Sequence, residues 1–174
     1  MEPAQNLKAR RRQDYRYHLD YRTRCGTKNT LTEQHDVLML TLRCDNDMFD
    51  HMNKSVYGFL ADSVIYAYLI EQCGFHPPTA EMYGVAVDAH TEFFSSIAYP
   101  AVAELGLRVN KLGKSSVTYE AGIFERGVDE VKAVSQCVHV FVERSTGRPS
   151  KDGMSAGLRQ ALEKLYVEQR AVKM

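Results

Sequence analysis

Apolar and polar residues alternate along four successive runs in the second half of the chain. Val85 to Ser95 sets Val85, Val87, Ala89, Thr91 and Phe93 on one face, and Ala101 to Lys111 sets Ala103, Leu105, Leu107 and Val109. Val117 to Phe124 sets Val117, Tyr119, Ala121 and Ile123, and Val131 to Arg144 sets Val134, Val138, Val140 and Val142. Gly113 and Arg126-Gly127 supply short turns between the last three. This pattern predicts an antiparallel meander with one buried face. Ahead of it, Ser55 to Cys73 is apolar nearly all round, which predicts a buried central helix. Asn53 and Ser55 suit its N-cap, while Gly74 and Pro77-Pro78 suit its end. Ser155 caps a C-terminal amphipathic helix over Gly157 to Arg170, with Leu158, Ala161, Leu162 and Leu165 in one stripe. Upstream, Tyr15 to Arg24 and Val37 to Arg43 both read as strands, separated by the polar residues 26 to 35. Strands and helices segregated in this way define an α+β fold, one antiparallel sheet wrapped around one long helix.

Composition narrows the class. The 174 residues suffice for one domain burying roughly two-thirds of its unfolded-chain surface. Apolar content of 44% and charged content of 25% are those of an ordinary soluble protein. Lys+Arg and Asp+Glu balance at 22 each, which argues against a general nucleic-acid-binding surface. The basic run Lys8 to Arg12 is the exception. Residues 1 to 13 read as a flexible basic tail, with a docking or organelle-targeting arm as the other reading. The four cysteines lack CxxC spacing, which argues against structural zinc and a disulfide framework and fits reduced thiols in the cytoplasm. No signal-peptide core is present, and the longest apolar run, Val56 to Ile70, is short for a membrane span and carries Asp62 and Ser63.

The polar exception lies between two core elements, at Asp45-Asn46-Asp47-Met48-Phe49-Asp50-His51-Met52-Asn53-Lys54. Polar groups buried there are costly and need a reason. A calcium loop is a poor fit, because its sixth position is Asp50 rather than Gly and its twelfth is Val56 rather than a bidentate Glu. A carboxylate just ahead of a helix sits beside free N–H groups and the positive end of the helix dipole.

The stretch DNDMFDHMNKSVYGFLADS resembles the strand-to-helix motif of the hot-dog-fold acyl-CoA thioesterases of the 4-hydroxybenzoyl-CoA thioesterase type. Asp45, Asp47, His51, Asn53 and Tyr57 match that motif, and Asp62 stands where the family's helix acid stands. Leu107 to Glu120 and Val140 to Pro149 are similar to two further strand signatures of the family, so the resemblance covers about residues 38 to 150. Two positions depart from it: Asp50 replaces a Gly, and Lys54 replaces an Asn. A hot-dog hydratase is a weaker fit, since it looks for an Asp five residues before the His and Asn46 is there. The resemblance implies a hot-dog domain over residues 14 to 150, followed by a C-terminal helical segment over 151 to 174. Residues 25 to 43 read as an insertion, and either upstream segment can be the first strand.

Thioester hydrolysis needs a base or nucleophile, donors for the oxyanion, and a pocket for the acyl and pantetheine arms. By the resemblance, Asp47 is general base or nucleophile, and the backbone amide near Lys54 is the oxyanion donor. His51 and Asn53 orient the carbonyl or the loop, and Asp62 is a second carboxylate or a partner for Tyr66. Lys54, Tyr57, Ser115 and Ser116 contact substrate, the serines from a neighbouring subunit. Structural readings stand beside these: a turn-forming Asp47, a capping Asn53 and a turn serine. Lys111, Lys114, Arg126, Arg144 and Arg148 are candidates for the coenzyme A phosphates. The expected protein is an acyl-CoA thioesterase with no metal or redox cofactor, assembled as a homodimer or homotetramer. The alternative is a non-catalytic hot-dog module that binds an acyl chain or only assembles.

Overall fold

The computed structural model describes residues 6–22, 45–76 and 78–167. The candidate strand Val37 to Arg43 and the expected insertion lie outside them. The elements are β1 (Tyr17–Arg22), α1 (Lys54–Cys73), β2 (Met82–Phe93), β3 (Val102–Leu112), β4 (Ser116–Glu125), β5 (Val131–Glu143) and α2 (Ala156–Glu163). The strands form one antiparallel sheet in the order β1-β3-β4-β5-β2, with α1 across one face. This is the α+β hot-dog architecture expected from the sequence.

Helix α1 starts where Asn53, in extended backbone, accepts the Ser55 N–H at 3.0 Å, and ends at Gly74 in the left-handed region with φ 61°. One face buries Leu60, Ala61, Val64, Ile65, Tyr68 and Leu69 against Leu105, Leu107, Val109, Val117, Tyr119, Ala121 and Ile123. Each large aliphatic side chain so buried contributes about 1.5–3 kcal/mol. The helix is not buried all round, however. Phe59 and Ile70 are 55% and 49% exposed. They share a flank with Asp62 and Tyr66. α1 lies over β1, β3 and β4 and reaches β5, leaving the edge strand β2 largely uncovered.

Two strands present different faces from those the alternation predicts. A bulge between Ala86 and Asp88 shifts β2 by one residue. Ala89, Thr91 and Phe93 therefore face α1, opposite Cys137, Ser135 and Ala133, while Val85 turns to the other face opposite Val140. A one-residue slip exchanges the two faces of a strand. In β5 the inward residues are Ala133, Cys137, His139 and Phe141, whereas Val134 joins a second cluster on the opposite face. Both faces of β5 carry apolar residues, so its valines did not mark the core side.

That second face explains the basic N-terminus. From Asn6 onward the segment expected as a free tail is laid over the sheet in two short 3₁₀ turns, Leu7–Ala9 and Arg12–Asp14. Leu7 and Tyr15 are buried with Phe124, Val131 and Val134. Arg10 donates to the fully buried Glu120 through Nε at 2.6 Å and Nη2 at 3.1 Å. Arg12 donates to Glu104 at 2.7 Å and to the carbonyls of Glu125 and Val128. The Tyr15 ring lies across Gly106 and Gly122, where side chains would collide with it; a Cβ at Gly106 would come within 2.6 Å of Tyr15 Cγ. Gly122→Ala is expected to lose about 1–3 kcal/mol by displacing this ring, measured by urea denaturation. An unchanged midpoint would show that the ring yields freely.

Helix α2 stops at Glu163, short of the expected Arg170. Beyond the end of β1, the Val109 N–H donates to Leu165 O at 2.9 Å and the Val109 carbonyl accepts from Val167 at 3.1 Å. The chain leaves the helix to satisfy this open stretch of β3.

Candidate active site

The motif forms a small closed loop. Asn46 and Met52 make an isolated antiparallel bridge, Asn53 N donates to Asp45 O at 2.7 Å, and Asp47 N donates to His51 O at 2.7 Å. Met52 N donates to Ile97 O at 2.7 Å, tying the loop to the segment after β2. Asp45 is fully buried beneath. Asp47 Oδ1 accepts from Phe49 N at 2.8 Å and His51 N at 3.2 Å, an Asx-turn arrangement. Its Oδ2 meets no donor among the described residues.

Asp50 has φ 59°. The left-handed region suits Gly best, and Asp is among the few other residues that visit it. The residue that departs from the family pattern therefore keeps the conformation a Gly would take, with its side chain exposed. Asp50→Gly is expected to retain hydrolysis and gain up to about 1 kcal/mol. Loss of activity would give the Asp50 charge a role of its own.

At the helix start, Ser55 N and Val56 N are both satisfied by Asn53, through its side chain and its carbonyl. The Lys54 N–H meets no acceptor among the described residues. Asn53 is thus the cap, while the His51 side chain is exposed on the loop. Tyr57 is buried, with its ring edge-on to Phe93 at 5.1 Å. Its hydroxyl accepts from Ile97 N at 3.2 Å, so its one visible polar contact braces the loop.

Asp62 lies about 12 Å further along α1, at 1.5 Å per residue, on the exposed flank. Burial raises its carboxyl above the usual range, partly opposed by His139. Ser115 and Ser116 lie at the other end of the sheet. Ser116 pairs with Val140, whereas Phe93, beside Tyr57, pairs with Ala133. Seven residues of strand separate these positions by about 23 Å. One chain thus brings together Asp47, His51, Asn53, Lys54 and Tyr57, and leaves Asp62, Ser115 and Ser116 apart. Arg126 is engaged by Glu104 and Asp20, and Arg144 by Ala80 O and the Tyr83 ring. Lys111, Lys114 and Arg148 are exposed at the Ser116 end.

A polar group absent from the sequence-based candidates lies beneath the Asp62 flank. The ring of buried His139 stands 5.3 Å from that of Tyr119 and 6.4 Å from that of Tyr66. Burial lowers the His139 pKa, favouring the neutral ring, and Asp62 opposes this. His139 falls between Val138 and Val140, so reading those valines as the core face hid it.

Asp47 thus stands on the loop that runs into α1, and the first N–H of that helix has no acceptor among the described residues. The thioesterase superfamily model matches residues 49–132. A Pseudomonas aeruginosa PAO1 protein, PA5185, is 33% identical over 90% of this chain and 95% of its own, with a TM-score of 0.75. A Thermus thermophilus thioesterase, solved with coenzyme A and Zn, is 18% identical over 88% of this chain and 96% of its own, TM-score 0.64. A DHNA-CoA thioesterase from Staphylococcus aureus is 14% identical over 76% of this chain and 78% of its own, TM-score 0.59. No curated protein matches the sequence. The chain belongs to the thioesterase superfamily. Among the described residues, no helix is long and apolar enough to cross a membrane.

Proposed function

We propose that this protein hydrolyses acyl-CoA thioesters at the Asp47 loop. The observation that carries the reading is an Asp47 carboxylate oxygen without a donor, on the loop leading into α1, together with a first helical N–H that lacks an acceptor among the described residues. Asp47 Oδ2 activates water or attacks the carbonyl carbon. The Lys54 N–H accepts the developing oxyanion, helped by the α1 dipole, and a donor of this kind contributes roughly 10²–10³ in rate. His51 and Asn53 hold the loop and orient the carbonyl, and the Lys54 side chain lies where it meets substrate. The family motif and the thioesterase fold of the structural neighbours support this reading over a non-catalytic acyl-binding or assembly module.

The same proposal includes a second copy. β2 is a long edge strand with Val87 60% exposed, and Phe59 and Ile70 of α1 are exposed as well. Such an edge is a template for pairing. Antiparallel pairing of two β2 edges about a two-fold axis swaps their ends. It carries the Ser115–Ser116 end of one sheet, with Lys111, Lys114 and Arg148, toward the Asp47 end of the other. There the serines can meet substrate and the cations the coenzyme A phosphates. A cytoplasmic location belongs to the same reading, in keeping with the unpaired Cys73 and Cys137. The test is free-thiol release from a panel of aliphatic and aromatic acyl-CoAs, with the mass in solution measured alongside. Turnover by the wild type and its loss in Asp47→Asn are expected. No turnover of any thioester would favour the binding module, and a monomer in solution would remove the shared site.

A further inference from the structure

The exposed flank of α1 and the residues of β2 that the helix leaves uncovered together outline a trough running away from the Lys54 amide. Its floor toward β2 is made of small residues, with Ala86 and Ala89 exposed and Thr91 half-buried. Its wall is Phe59, then Asp62, then Tyr66. The polar groups along the floor differ in kind. Near the start, Thr91 Oγ1 donates to Ser135 Oγ at 3.0 Å, so this pair is satisfied within the chain. Further along, His139 Nδ1 and the Tyr119 hydroxyl are buried and have no hydrogen-bond partner among the described residues. His139 and Tyr119 are each 1% exposed. Buried polar atoms without partners are rare and costly, and two beside each other call for an explanation. The His139 ring fits because Gly84, diagonally across on β2, has no side chain; a Cβ there would come within 2.9 Å of Nδ1.

We infer that this end of the trough selects acyl groups bearing a hydroxyl remote from the thioester. The inference rests on the proposed function, with the reacting carbonyl at the Lys54 N–H. Asp62 and Tyr66 lie about 12 and 18 Å from that point along α1, the reach of a medium-length acyl chain. A neutral histidine offers one donor and one acceptor, the tyrosine hydroxyl can do both, and Asp62 accepts. A hydroxyl both donates and accepts, so it can engage two of these groups at once. A methyl terminus leaves them unpaired, and a terminal carboxylate meets the Asp62 charge. The hydroxyl binds without forming or breaking a covalent bond, and reaching the buried cluster requires the Tyr66 or His139 side chain to turn aside.

The experiment compares ω-hydroxylauroyl-CoA with lauroyl-CoA, using wild type, Tyr119→Phe and His139→Phe. The wild type is expected to favour the hydroxylated substrate by about 10-fold or more in kcat/KM, and the variants to bring that ratio toward one. Calorimetry with ω-hydroxylauric and lauric acids reads the same preference without turnover. If neither thioester is hydrolysed but the hydroxylated acid binds more tightly, the hydrolytic reading fails and the selectivity stands. Equal binding and equal turnover of the two chains by the wild type overturn the selectivity. Thermal midpoints separate a structural role. Tyr119→Phe removes an unpartnered buried hydroxyl and is expected to raise the midpoint while the preference falls. A lower midpoint with both substrates impaired alike would make Tyr119 a packing residue and overturn the inference.

Discussion

Asp47→Asn is expected to lower kcat by about 10²–10⁴ while leaving the fold intact. The two outcomes separate because Asp47 does two things with two oxygens. Oδ1 receives the Phe49 and His51 N–H groups and holds the loop. An asparagine carbonyl can accept the same two bonds, so the thermal midpoint should hardly move. What the amide cannot do is take a proton from water or attack a thioester carbonyl at neutral pH. Asp47→Ala removes both capacities. It is expected to lose activity to a similar degree and in addition about 1–3 kcal/mol of stability, since two loop N–H groups lose their acceptor. Chemical denaturation beside steady-state kinetics reads the pair of variants. Full activity in Asp47→Asn would make the carboxylate a turn former and nothing else.

The fold was legible where one physical demand acts on a segment. The alternation in β3 and β4 is obeyed because their inward residues, Leu105, Leu107, Tyr119 and Ile123, meet one helix. Asn53 and Gly74 mark α1 to within a residue because capping is local chemistry. The N-terminus was misread because a basic run looks solvated. Its partners, Glu104 and Glu120, lie more than ninety positions away and occupy the outward phase of two strands. The face exchange in β2 was hidden because a bulge leaves no composition signal. Within the loop the motif told which residues gather, but not how the work divides. That Tyr57 braces Ile97, and that Asp50 keeps a glycine-like turn, depend on backbone geometry alone. The His139 and Tyr119 cluster was illegible for another reason: lack of a partner is a property of the assembled core.

Glu120→Ala should be among the most destabilising single changes, at about 3–5 kcal/mol, because it strands buried positive charge. The Glu120 side chain is 0% exposed, Arg108 is 5% and Arg10 is 18% exposed. Glu120 also accepts from Asn110 Nδ2 at 2.7 Å, and Tyr15 donates to it at 3.3 Å. Burial alone would raise this carboxyl. The hydrogen bond from Arg10, with Arg108 and Asn110 behind it, outweighs burial and holds the pKa below the usual range. A carboxylate whose pKa is lower folded than unfolded contributes stability that is complete above the unfolded value, about 4.3. That contribution drains away as pH falls from there through the folded value. Urea midpoints of the wild type should therefore drop as pH is lowered below about 4.3, beyond what the other carboxylates contribute. Glu120→Gln, which keeps the shape and titrates nothing, should start lower at pH 7 and show a shallower acid limb. Arg10→Ala should cost less than Glu120→Ala, since Arg108 and Asn110 remain to hold the carboxylate. Equal acid limbs in wild type and Glu120→Gln would mean that the N-terminal segment is held by Leu7 and Tyr15 packing, with the ion pairs near balance against their own desolvation.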